Sequence, residues 1–217
     1  MDYLQTGQNS PAPRQRLCRK VIVVDATSYR SFADLQKHQV LGKDYDIVVC
    51  HRASSRVAVI APHGGGIERR TSEIARAISG MDLNLYLFEG IKSSGNNYTA
   101  LHLTSHRFDE PSCLDLIAQC LFVVSVHGCN GNDKKVLLGG LDLALKAQLA
   151  EALAHVGVAV ETDGHAFPAT DRNNICNRGR SRKGVQLEIT GSLRGSPEEN
   201  RVVSAVRSVL LGLDASA

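Results

Sequence analysis

Tryptophan is absent from this 217-residue chain, and aromatic residues make up only 5% of it. Proteins that grip single-stranded nucleic acid stack its bases on aromatic side chains, so such a partner would find little here. A net charge of +3 is too small for an extended basic face, and nucleic acid is not the expected partner. No stretch approaches 18 consecutive apolar residues, so no membrane-spanning helix is expected. Cysteine pairs of the CxxC type are missing. Cys18, Cys50, Cys113, Cys120, Cys129 and Cys176 are scattered, without the density of a disulfide scaffold, as in a reducing compartment. Residues 1–20 show no basic segment followed by an apolar one, so no secretory signal is read. The expected location is the cytoplasm, with release when the producing cell lyses. Phosphate-binding signatures fail as well: GGGIERRT lacks the Lys-Ser/Thr pair of a Walker motif, and no GxGxxG occurs.

What the chain does have is alternation. Apolar, β-rich runs are expected as strands at 20–25, 44–50, 56–61, 83–88, 121–127, 135–138, 157–161 and 184–190. Several are continuous in Val, Ile and Leu, which implies burial on both faces, as in a sheet covered by helices. Between them, 71–79 places Ile74, Ala75 and Ile78 on one face, with Thr71 or Ser72 available as N-cap. Helical patterns also cover 141–155 and 197–211. The length suits one domain with a substantial core. These features predict an α/β fold: a single three-layer domain, 20–217, whose mixed, mostly parallel twisted sheet is flanked by helices. Polar, proline-bearing residues 1–19 form a flexible lead-in. A monomer is expected.

Ligands of open α/β sheets sit beyond the carboxyl ends of the strands. In VIAPHGGGIERRTSEIARAI, residues 59–78, His63 and Glu68 stand five apart across a glycine-rich turn. A helix would need a spacing of three or four, whereas Gly64, Gly65 and Gly66 let a loop curl both side chains toward one point. A capping carboxylate beside a surface histidine would use the same residues. His127 ends the apolar run CLFVVSVHG, where an imidazole must be bonded or ligating. Two imidazoles and one carboxylate are a set that catalytic zinc uses, leaving the fourth position open. His102 is the main rival to His127 as third ligand. His102 and His106 lie four apart, and Cys129 is a weaker thiolate candidate. His38, His51, His155 and His165 read as solvated. Glu188 in VQLEIT shares a strand face with Gln186, either exposed or lining a cleft; in a cleft it would serve as a general base. NRGRSRKG, residues 177–184, concentrates four cations, as either a solvated loop or an anion-holding patch.

Taken together, YRSFADL, VAVIAPHGGGIERRTSEIARAI, LYLFEGIKSSGN, LHLTSHRFDEP, VVSVHGC, GGLD and NICNRGRSRKGVQLEIT resemble the poly-γ-glutamate hydrolases of phages and bacteria. The family is also labelled as phage-related replication proteins. The resemblance runs from about residue 28 to 190. It implies a carboxypeptidase A-like fold and a single zinc ion held by His63, Glu68 and His127, with Glu188 as general base. It implies hydrolysis of γ-glutamyl amide bonds in an anionic polymer by water that the ion activates. Arg178 would clamp a substrate carboxylate or the developing oxyanion, with Asn177 and Arg180 as further substrate contacts. Lys92, Arg69, Arg70 and Arg107 would extend a cationic track. Two other readings stay open. One keeps the metal but cleaves peptidoglycan stems or acyl-amino acids; the other is a non-enzymatic, DNA-binding replication factor.

Overall fold

A computed structural model describes residues 29–94 and 96–216. Seven strands form one sheet in the order β1-β3-β2-β4-β7-β5-β6. They are β1 (Tyr45–Cys50), β2 (Val57–Gly65), β3 (Asn84–Gly90), β4 (Phe122–Cys129), β5 (Lys135–Gly139), β6 (Ala159–Glu161) and β7 (Val185–Thr190). Neighbours are parallel except β1 with β3 and β5 with β7. The mixed, mostly parallel sheet matches the expected architecture. Each of these strands answers to an expected run; the run at 20–25 lies outside the described residues.

Among the described residues six α-helices accompany the sheet: α1 (Phe32–Leu35), α2 (Thr71–Ser79), α3 (Asn97–Leu101), α4 (Pro111–Ile117), α5 (Leu143–His155) and α6 (Glu199–Ser216). Alternate strand residues separate two cores. Val57, Val59, Ala61, Val124, Val126, Val185 and Leu187 pack with the apolar faces of α2, α5 and α6. Ala58, Ile60, Tyr86, Phe88 and Val123 pack against α1, α3 and α4 on the other side. Helices α2 and α5 fall where the periodicity put them. Helices α1, α3 and α4 went unforeseen because none reaches two full turns, too short for a hydrophobic period to register. Each has a cap that holds it: Ser31, Asn96 and Glu110 accept from the first backbone N–H groups.

One local expectation is corrected. Neither Thr71 nor Ser72 is the N-cap of α2. Arg70 holds that position in the left-handed region (φ 78°) without a side-chain cap bond. Thr71 and Ser72 are inside the first turn, and their hydroxyls bond the preceding loop instead.

Sheet order creates the functional crevice. From β2 the chain crosses through α2 to β3 on one side, while β4 pairs with the other side of β2. The carboxyl ends of β2 and β4 therefore flank a point where connections diverge, the usual ligand crevice of such sheets. Strand β7 lies beside β4, in register His127 with Glu188.

Leu187 is fully buried on the face opposite Glu188. Leu187→Ala should lower the unfolding free energy by about 2–5 kcal/mol in urea titration, the usual range for such a truncation.

Candidate metal centre

Pro62 has no N–H to give a central strand, and the β2–β3 register slips between Ala61 and Gly64. Past this irregularity β2 ends in glycines whose smallness is required. Gly65 is at φ +60°, and a Cβ there would stand 2.6 Å from the Gly90 carbonyl oxygen. The turn then closes on itself: the Glu68 N–H donates to the His63 carbonyl (2.9 Å). Thr71 Oγ1 reaches both the His63 carbonyl (3.1 Å) and the Glu68 carbonyl (2.8 Å). A five-residue spacing thus becomes a fixed loop that returns Glu68 to His63.

The side chains meet. His63 Nδ1 is 2.8 Å from Glu68 Oε1 and 3.0 Å from His127 Nδ1; His127 Nδ1 is 3.5 Å from Glu68 Oε2. Ligands around a tetrahedral zinc at about 2.0–2.1 Å lie roughly 3.3 Å apart, so these separations suit one ion. Second partners orient both rings. His63 Nε2 is 2.9 Å from the Leu103 carbonyl oxygen, which only accepts, so Nε2 carries a proton and Nδ1 is the nitrogen left to face Glu68 or an ion. His127 Nε2 meets Ser125 Oγ at 2.6 Å. The Gly128 N–H donates to Glu68 Oε2 at 2.8 Å. Two imidazole nitrogens and a carboxylate oxygen therefore converge in a buried pocket, and the donor set fits a divalent cation.

Charge shifts agree with that convergence. Burial works against the Glu68 carboxylate, yet His63 and His127 outweigh it and hold its pKa well below the usual range. Burial also opposes a charged His63, but Glu68 prevails and raises it. His127 is lowered, chiefly by burial. Glu188 is pushed up to about 8 by burial, with the Glu68 charge adding to it. Its carboxyl accepts from Gln186 Nε2 (2.8 Å), whose carbonyl oxygen accepts from Asn174 Nδ2 (2.9 Å). A cleft of about 1590 Å³ opens over His63, Glu68, His127 and Glu188.

Other expected residues are placed differently. His102 is not in the converging trio. Its ring packs 4.2 Å from His63 and stacks 4.4 Å from Tyr98, with Nε2 3.8 Å from Glu68 Oε1. Burial, with His63 adding, takes it down to about 3, so it stays neutral. Cys129 lines the cleft outside the trio. Asn177, Arg178 and Arg180 are not among the residues lining the cleft. Asn177 is buried and bonded to the backbone at 141, 169, 171 and 184. Arg178 donates to the Phe108 carbonyl (3.3 Å), and Arg180 is exposed. Of the foreseen cationic track, Arg69 and Arg70 line the cleft, Arg70 being paired with Glu199; Lys92 is paired with Asp44 away from it. Ser125, Asn174, Gln186 and Arg194 went unnoticed as support for the site. Gln186 alone carried a signal, sharing a strand face with Glu188.

Among the described residues no helix is long and apolar enough to cross a membrane. A family profile described as poly-γ-glutamate hydrolase matches residues 29–204. The UPF0714 protein YndL of Bacillus subtilis (strain 168) is 38% identical over 171 residues, covering 77% of this chain. The chain spans 66% of that relative's own length, just under two thirds. The structure of a bacteriophage poly-γ-glutamate hydrolase superposes with a TM-score of 0.81 at 30% identity, covering 88% of this chain and all of that one. A zinc-free structure of YndL gives a TM-score of 0.77 at 32% identity, covering 85% of this chain and 98% of that one.

If the trio holds the ion, His63→Ala or His127→Ala should lose zinc in elemental analysis while keeping the far-ultraviolet dichroism of the parent. Chelation of the parent should lower its melting temperature, and zinc should restore it by mass action. Zinc affinity should fall as pH drops. His63, whose pKa is raised by Glu68, should take a proton in place of the metal first, and His127, whose pKa is lowered by burial, only at lower pH.

Proposed function

The chain belongs to the poly-γ-glutamate hydrolase family, and from that premise we propose that it is a zinc-dependent enzyme cleaving the γ-glutamyl amide bonds of poly-γ-glutamate. The observation that carries this reading is the register of Glu188 beside His127, which sets a buried carboxylate next to three converging metal-ligand atoms at the floor of the cleft.

One zinc ion would be held by His63 Nδ1, His127 Nδ1 and a Glu68 oxygen, in keeping with the similar YndL structure being a zinc-free form. Bound there, zinc supplies Lewis-acid polarisation of the scissile carbonyl and a water acidic enough to attack near neutral pH. The remaining work belongs to the protein. Glu188, as carboxylate, takes a proton from the attacking water and delivers it to the nitrogen of the leaving residue. Gln186 fixes the carboxyl by donating to Oε1. A neutral His102 on the wall of the cleft can meet substrate without adding charge beside the metal.

A polymer with one carboxylate per residue needs cations along its path. Arg69 and Arg194 line the cleft, while Asp171 and Glu188 are its acidic counterweights. Arg178 is given no part in the chemistry, because its guanidinium points to Phe108 rather than into the cleft.

Glu188→Gln should keep stoichiometric zinc and lose about 10²–10⁴ in kcat. Full activity in that variant would remove Glu188 from the role. Poly-γ-glutamate should be shortened while α-linked polyglutamate is left intact, as read by size-exclusion chromatography. Glu188 acts as a base only when ionised, and its pKa is raised. The rate should therefore fall as pH drops through an acid limb, and that limb should lie below pH 8, since a nearby divalent ion favours the carboxylate over the value of about 8 set by burial.

A further inference from the structure

We propose that Arg194 is a positioning residue for the metal centre: its guanidinium straps the loop that carries Glu68 to the strand that carries His127. The proposal rests on the metal-centre reading above and adds a residue that makes no contact with the ion.

Arg194 stands in the turn that follows β7. Its own N–H donates to the Thr190 carbonyl (3.1 Å), and neighbouring Leu193 is anchored in the core, so the backbone from which it reaches is fixed. From there Nη1 donates to the Arg69 carbonyl (2.7 Å), one residue past Glu68. Nη2 donates to the Cys129 carbonyl (3.1 Å), two residues past His127. The planar fork thus bridges two carbonyls on the two ligand-bearing segments, from a turn just beyond the strand bearing Glu188.

Gly128 makes room for this. A Cβ at 128 would stand 2.1 Å from Nη1 and 2.4 Å from the guanidinium carbon. The same glycine gives its N–H to Glu68 Oε2. The strap therefore lies over the joint where the carboxylate ligand meets the histidine strand. Two donors in a rigid plane match this task, whereas a lysine ammonium on a flexible stem would not hold both carbonyls at fixed separation. Groups that orient metal ligands from outside commonly change metal affinity by about 10–100-fold when removed.

The test is zinc affinity of the full chain, measured by competition with a chelator of known affinity, beside the melting temperature of the metal-free protein. Arg194→Met should weaken zinc binding by about 10–100-fold while lowering the metal-free melting temperature only modestly. A purely structural arginine would lower the melting temperature and leave zinc affinity within fivefold of the parent, and that result would overturn the proposal. If Arg194→Met does not fold, Arg194→Lys, which retains charge and most of the volume, is read by the same fivefold threshold. Failure of the parent chain itself to bind zinc would instead overturn the metal-centre reading, so the two failures are separable.

Discussion

Buried lone pairs repel unless something positive stands between them, and the centre of this protein brings three together. His63 Nδ1, His127 Nδ1 and the Glu68 carboxylate approach within hydrogen-bonding distance, the two imidazoles buried and the carboxylate mostly so. A buried carboxylate without a counter-charge is costly, and two imidazoles facing nitrogen to nitrogen hold at most one proton between them. The outer nitrogens are already engaged with Leu103 and Ser125, so neither ring can turn away cheaply. Nearly every unusual local feature nearby serves this convergence: the proline bulge, the glycine turn, the inward hydroxyls of Thr71 and Ser72, and the glycine under Arg194.

The sheet supplies what the loop alone cannot. A parallel strand pair places residues at the same height along neighbouring strands on one face. Ser125, His127, Gln186 and Glu188 form such a block, two by two, on β4 and β7. The other face of these strands, Val124, Val126, Val185 and Leu187, is locked against α2, α5 and α6. A one-residue slip would exchange the two faces, so the apolar core fixes the register that keeps Glu188 beside His127.

Much of this was legible in the sequence, for identifiable reasons. A strand buried on both faces, such as β2, reads as an apolar run without alternation, and each of the seven strands answers to an expected run. His63, Glu68 and His127 stood out because polar groups at strand ends demand an explanation, and the glycines advertised a loop able to bring two of them together. The role of the 177–184 cluster was not legible. Asn177 is bonded to four backbone positions and Arg178 to the Phe108 carbonyl, so charge density there marks a braced loop beside β4 rather than a lining of the cleft. Arg194 gave no signal at all, because its effect depends on two carbonyls far apart in sequence. The cap of α2 was misread because Thr and Ser hydroxyls serve loops as readily as helix starts.

A spacing of five between the first two proposed ligands, rather than the three available within one helical turn, changes what the fold must provide. Ligands on one helix inherit their separation from backbone hydrogen bonds already in place. Ligands on a loop do not, and every degree of freedom must be removed by contacts from elsewhere. Here α2 starts without a side-chain cap, and its first two hydroxyls reach back into the turn: Thr71 to the His63 and Glu68 carbonyls, Ser72 to the Gly65 N–H. The helix gives up part of its own N-terminal stabilisation, about 1 kcal/mol for a typical cap, and the loop gains three bonds that fix the ligand pair. Strain at Arg70, held in the left-handed region, follows from the same arrangement, since the chain must turn sharply from Glu68 into α2. The departures from ideal helix geometry are thus what the proposed loop-borne metal site requires of the element next to it.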